Sequence, residues 1–240
     1  IAECNEGGEF MSKEKIDRLE RIAQRTWMRT LDDRIGVSQE EARRKGRIKK
    51  PELPAVEHVL ADKAEHLIER EDNERIAADN PWGFKLDVPQ YKYNRGEIYN
   101  LSVSRGTLSA EERYQINDHM TQTIIMLEKL PYPKHVREIP AIAGGHHETM
   151  DGKGYPRRLQ SDDMSLTARM MAIADIFEAL TASDRPYKQA KTLSEAISIM
   201  STMRDNHHID PDLFRLFLSS GVYKSYGEQY LDAEQNDDVD

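Results

Sequence analysis

The helix-boundary signals in the second half of the chain restrict its fold more tightly than any other feature. Ser109 is followed three residues later by Glu112, and Thr192 by Glu195. In each pair the hydroxyl can accept the backbone N–H at the third helical position, while the carboxylate reaches back to the cap's own N–H. Asp210-Pro211 places a capping carboxylate before a proline at the first helical position. Pro131 and Pro133 break the chain between helices, and Gly221 ends the last of them. Between these marks the apolar residues Ile116, Met120, Ile124 and Leu127 recur three or four apart. The pattern predicts helices from Ser109 to about Leu130, a further one reaching His146 or His147, then about 165–183, 192–203 and 210–219. Pro140 should kink the second of these or delay its start.

The first half reads differently. Ile16, Leu19, Ile22, Ala23, Trp27 and Thr30 fall at helical spacing, which predicts a helix from about Ser12 to Leu31. Ser38 with Glu41 predicts a second, short one. From 45 to 107 prolines fall at 51, 54, 81 and 89, charge is dense and apolar periodicity is weak. This predicts a loop-rich insertion, turn-like at "NPWGF" (80–84), with short strands near "YKYN". The organisation expected is therefore a helical segment over 1–44 that is part of the following domain or packs on it, the insertion over 45–107, an all-α core over 108–227 and an acidic tail over 228–240.

Composition excludes several classes. Hydrophobic residues make up 38% and charged residues 32% of the 240 positions, which is lean for a core spanning the whole length. The net charge of −9 owes six acidic residues to 228–240, a tail expected simply to be solvated. The basic run Arg43, Arg44, Lys45, Arg47, Lys49 and Lys50 lacks interleaved aromatics, so no nucleic-acid polymer is expected as a partner. The single cysteine, Cys4, permits neither a disulfide framework nor a CxxC metal site, which fits a reducing, cytoplasmic setting. No apolar run approaches membrane-spanning length. The chain opens on Ile rather than Met and shows no signal peptide, as a processed protein or a piece of a longer one would.

Chemistry concentrates in "AGGHHETMDGKGYP" (143–156). Neighbouring residues on a helix point about 100° apart, so His146 and His147 share one site only if the helix ends there or the site is large. His119 lies beside the apolar face of its helix, where either a core hydrogen bond or a ligand role would account for it. Asp175 sits in "MMAIADIFEAL", where a carboxylate must face water, pair with a base or bind a cation. Three imidazoles and a carboxylate suit Fe, Mn, Co, Ni or Zn, and such sets serve hydrolytic dinuclear centres. Arg185 and Lys188 in "SDRPYK" follow closely; they either bind a phosphate ester or cap the preceding helix. His58, His66 and His135 read as surface residues, and His207-His208 as the approach to the Asp210 cap.

"HHETMDGKGYP" resembles the HHExxDGxGYP signature of HD-GYP domains. "ADIFEALTASDRPYK" and "LSAEERYQINDH" resemble other segments of the same family, so the likeness covers about 97–220. It implies an all-α HD-superfamily helical bundle that hydrolyses cyclic dinucleotides, chiefly cyclic di-GMP, to linear pGpG or GMP. It implies two or three divalent metal ions, commonly Fe or Mn. Carried over by position, His119, His146, His147 and Asp175 would be metal ligands. Glu148 and Asp151 would serve catalysis by supporting the centre or its loop. Gly154 and Tyr155 would line the substrate pocket, and Arg185 and Lys188 would hold phosphate. Diguanylate cyclase domains and a second copy of the chain are the protein partners it implies.

One departure stands out. The family's His-Asp dyad is missing; Asp118-His119 runs in reverse order. Either the dyad has been lost, leaving a cyclic dinucleotide sensor or scaffold, or it lies before Ile1 with the insertion intervening. The non-Met start and the long insertion favour the second reading, in which the intact protein is the enzyme and carries an upstream sensory or membrane-anchored region.

Overall fold

The computed structural model describes every residue except 7, 9, 48, 50, 51, 184–189 and 240. Among the described residues there are ten α-helices and two small two-stranded sheets. They divide into two compact units, 1–75 with 87–116 and 76–86 with 117–240.

The first unit contains α1 (Ala2–Glu6), α2 (Lys13–Ala23), β1 (Thr26–Arg29), α3 (Gln39–Gly46), β2 (Ala55–His58), β3 (Leu67–Glu69), β4 (Tyr91–Asn94) and α4 (Glu97–Leu101). Ser12 caps α2 by accepting the Lys15 N–H, and Ser38 caps α3 by accepting that of Glu41. The helix expected to reach Leu31 stops at Ala23, because Leu19 and Ala23 complete a small core with Leu60. Residues 26–29 instead pair antiparallel with 55–58, Trp27 opposite Glu57 and Arg29 opposite Ala55. A partner nearly thirty residues away overrode the local period. β4 covers "YKYN" as expected and pairs with β3. Among its described residues the 45–107 stretch holds β2, β3, β4 and α4, joined by turns and irregular segments.

α5 (Ala110–Glu128) starts in the first unit and continues in the second. The Ser109–Glu112 pair forms in both directions, at 2.9 and 3.2 Å.

The second unit adds α6 (Ile139–Gly145), α7 (Leu166–Thr181), α8 (Leu193–Asp205), α9 (Pro211–Ser219) and α10 (Val222–Tyr230). Pro140 sits in the first turn of α6, delaying its start rather than kinking it. Thr192 and Glu195 close their capping box, and Asp210 accepts from the N–H groups of Asp212 and Leu213. The core gathers Ile173 and Phe177 of α7, Leu193, Ala196, Ile197 and Met200 of α8, and Ile209, Phe214 and Tyr223. Phe214 is wholly buried. Phe214→Ala should cost about 3–5 kcal/mol in denaturant unfolding, whereas exposed Leu216→Ala should change stability by less than about 0.5 kcal/mol.

Two expectations for the C-terminus do not hold. Gly221, at φ 70°, ends α9 but is followed at once by α10, whose Tyr226 packs against Phe177. The acidic tail is not simply solvated. Gln235 is 7% exposed and donates to the carbonyls of Thr181 and Lys191, while Asp237 accepts the N–H of Ser194 at 2.8 Å. The free N–H groups at the start of α8 recruit the tail, an attraction that tail composition does not reveal. No helix among the described residues is long and apolar enough to cross a membrane.

Candidate metal centre

The site begins with the close approach of α6 and α7. A Cβ at Gly145 would come within 2.9 Å of the Ala168 Cβ, so a glycine there lets the two backbones meet. α6 then ends, with His146 as its C-cap. Because the helix stops there, the adjacent imidazoles converge; the rings of His146 and His147 lie 4.3 Å apart at 39°. Nδ1 of His146 is 2.7 Å from the Ala143 carbonyl. A carbonyl only accepts, so Nδ1 carries the proton and Nε2 is left with its lone pair, the orientation a metal ligand requires.

Asp175 on α7 completes a cluster. One ligand atom from each of His146, His147 and Asp175 lies within 4.8 Å of the others, and all three residues are half-buried. His119 on α5 stands edge-on to His147, with ring centroids 5.3 Å apart, just outside that three-residue group. Burial first, and His146 second, lower the His147 pKa to about 4, against an opposing pull from Asp175. His147 is therefore neutral at ordinary pH. Two imidazole nitrogens and a carboxylate in a half-buried setting fit a divalent first-row metal ion.

The loop after α6 folds back over the cluster. The Tyr155 ring stacks on His147 at 4.9 Å and 15°, and its N–H donates to the His147 carbonyl. Burial, then the Asp175 charge, push the Tyr155 phenol above its ordinary pKa. Gly154 is buried against the turn, where a Cβ would lie 2.4 Å from the Glu148 Cα and the Thr149 N. Gly152 has φ 73°, a left-handed conformation that favours glycine.

Glu148 and Asp151 point into this loop rather than among the imidazoles. The Glu148 carboxylate, 2% exposed, accepts the N–H groups of Arg157 at 2.6 Å and Leu159 at 2.9 Å. Burial raises its pKa and those amides oppose the rise. Glu148→Gln should weaken the loop by about 1–3 kcal/mol, because the amide NH2 group cannot accept the second N–H. Faster hydrogen exchange at the 157 and 159 amides, with the far side of the unit unchanged, checks this. Asp151 accepts from the Thr149 hydroxyl and from the Lys153 side chain, each at 2.6 Å, which holds its carboxyl below the ordinary carboxylate range.

Several contributors were not singled out from the sequence. Arg157 donates to the Trp82 carbonyl and to Glu128, and Lys85 N–H donates to the Pro156 carbonyl. The "NPWGF" turn is as expected, but it also buries Phe84 and docks 76–86 on the loop exit. An apolar Trp-Gly-Phe triplet amid charged residues was the available signal. His208 also adjoins the loop, its carbonyl accepting the Met150 N–H. His58 and His135 are exposed, and His66 is partly buried. Arg185 and Lys188 lie outside the described residues.

Residues 54–213 match the HD domain family. The chain is 39% identical over 127 residues to a 3'3'-cGAMP-specific phosphodiesterase of Vibrio cholerae, covering 49% of this chain and 26% of that protein. It is 47% identical over 79 residues to a cyclic di-GMP phosphodiesterase of Pseudomonas aeruginosa, covering 32% and 18%. A Thermotoga maritima cyclic di-GMP phosphodiesterase is 33% identical over 119 residues, covering 49% and 31%. The chain thus spans about a third or less of the length of these relatives. With two thirds of its residues inside the matched region, a helical architecture and the signature loop folded over paired histidines, the chain belongs to the HD domain family and is of the HD-GYP type.

Proposed function

We propose that the protein to which this chain belongs is a metal-dependent phosphodiesterase that hydrolyses a cyclic dinucleotide, cyclic di-GMP or a related one, to linear pGpG or GMP in second-messenger signalling. The observation that carries this reading is the convergence of His146, His147 and Asp175 under a loop whose Tyr155 stacks on His147. The names of the relatives support the substrate class.

His119, His146, His147 and Asp175 would hold two or three divalent ions, Fe or Mn. When bound, these supply Lewis-acid stabilisation of the phosphodiester and activation of water. Around them the side chains bind and orient. His146 is kept in one tautomer by the Ala143 carbonyl. Tyr155 lines the substrate's path, while Gly154, expected there too, instead lies buried against Glu148 and Thr149 and keeps the turn beneath Tyr155 tight. Glu148 and Asp151 hold the loop in place, acting through it rather than on the substrate. Arg185 and Lys188 bind the phosphate. The setting is cytoplasmic, with diguanylate cyclase domains meeting the Gly-Tyr-Pro surface and a homodimer as the assembled form.

The test is a substrate panel on the intact protein with Fe or Mn supplied. Cyclic di-GMP, the mixed GMP-AMP ring and linear pGpG are compared for phosphate-ester cleavage. Hydrolysis of one cyclic dinucleotide at least about tenfold faster than of a simple phosphodiester is expected, since binding of the whole ring should lower the barrier. Tight cyclic dinucleotide binding without cleavage would replace this reading with that of a sensor or scaffold.

A further inference from the structure

The first unit contains a polar cavity of about 310 Å³, walled entirely by its own residues. Its inner wall is electrostatically closed. Arg29, 8% exposed, donates twice to Glu57 and once to the Leu31 carbonyl. Lys63 reaches the other Glu57 oxygen at 2.9 Å, and Lys45 donates to the Asp33 carbonyl at 2.7 Å. These pairs make the cavity floor rigid and leave it with little charge of its own.

The rim is different, because its groups have capacity left over. Trp27 is 50% exposed and its indole N–H has no partner among the described residues. The Arg95 guanidinium has no ion pair there either; its backbone N–H is tied to the His66 carbonyl at 2.9 Å. His66 Nδ1 accepts the Lys63 N–H, so its Nε2 carries the proton and is a donor. Lys63 Nζ retains N–H groups beyond the one given to Glu57. Glu65 and Glu97 add carboxylates that can accept from ring imino and amino groups. An aromatic face, several cationic donors and acceptor carboxylates on one small cavity call for a ligand that is flat, anionic and also a donor.

We propose that this cavity binds a nucleoside monophosphate, with its base on Trp27 and its phosphate on Arg95, Lys63 and His66. Inorganic phosphate alone would leave the indole face and the carboxylates unused. The volume lies at the lower end of the roughly 300–1,000 Å³ of ligand pockets and suits one nucleotide unit rather than two. The inference does not depend on the phosphodiesterase reading, since no residue of the metal cluster takes part.

The chain has two tryptophans, so Trp82→Phe leaves Trp27 as the only indole reporter. In that background, with EDTA present, GMP, AMP and inorganic phosphate are titrated against Trp27 fluorescence and by calorimetry. Saturable quenching by a nucleotide with Kd of about 1 mM or tighter is expected. Phosphate should bind about tenfold or more weakly, since stacking on an aromatic ring contributes about 1–3 kcal/mol per base. Arg95→Gln, at an exposed position, should weaken binding about tenfold with an unchanged circular dichroism spectrum. His146→Ala should leave it unaltered. No saturation by either nucleotide, phosphate binding as tightly as nucleotide, or affinity lost in His146→Ala but kept in Arg95→Gln would each overturn the proposal. The His146→Ala arm separates its failure from failure of the metal-centre reading.

Discussion

His147→Ala is expected to produce the largest functional loss of any single substitution in this chain. Its ring lies between those of His146, His119 and Tyr155, with centroids 4.3, 5.3 and 4.9 Å away. Removing it takes away one donor of the three-residue cluster and the surface on which Tyr155 stacks. Loss of an outer partner of a metal ligand alone costs about 10–100-fold in metal affinity or activity, and loss of a ligand should exceed that. The measurement is metal content after dialysis, with cyclic dinucleotide hydrolysis by the intact protein. Exposed His135→Ala serves as the control and should leave both unchanged. A His147→Ala protein that retains full metal and full turnover would remove the centre from its proposed place. Because His147 is half-buried rather than a core residue, the variant should keep its thermal unfolding midpoint within a few degrees.

Gly154→Ala should cause the second-largest effect, through backbone rather than side-chain chemistry. The added methyl would lie 2.4 Å from both the Glu148 Cα and the Thr149 N, atoms that cannot swing aside as a flexible side chain could. The turn must open, which moves Glu148 away from the amides of Arg157 and Leu159 and Tyr155 away from His147. Overpacking of this kind costs about 1–3 kcal/mol, and broken bonds to a buried carboxylate add to it. A midpoint lowered by several degrees should accompany a loss of hydrolysis. Gly8→Ala, where an added methyl meets nothing within 4 Å, should do neither. If Gly154→Ala matched Gly8→Ala in both readouts, the tight packing of this loop would be refuted.

Much of the helical unit was legible from sequence because its boundaries are local chemistry. Ser109, Thr192 and Asp210 act on N–H groups two or three residues away, and those bonds form as read. Failures occur where a distant partner decides. Trp27 fits a helical period, yet 26–29 became a strand because 55–58 offered an edge with Glu57 ready for Arg29. The tail was read by its charge, yet Gln235 is buried because Thr181 and Lys191 expose carbonyls beside it. α10 went unread because the glycine that ends α9 also begins a new turn.

The candidate site divides along the same line. Sequence alone determined which residue types were available: two adjacent imidazoles at a helix end, a carboxylate in an apolar helix, and a glycine-rich loop ending in Tyr-Pro. Those follow from composition and spacing along the chain. Only the tertiary structure decided that Asp175 and the two histidines share one point, that Tyr155 stacks on His147, and that Glu148 turns from the cluster to the loop amides. The physical reason is reach. Caps and turns involve bonds within a few residues, whereas these contacts join segments held together by the close packing of α6 on α7 and by burial of a shared core.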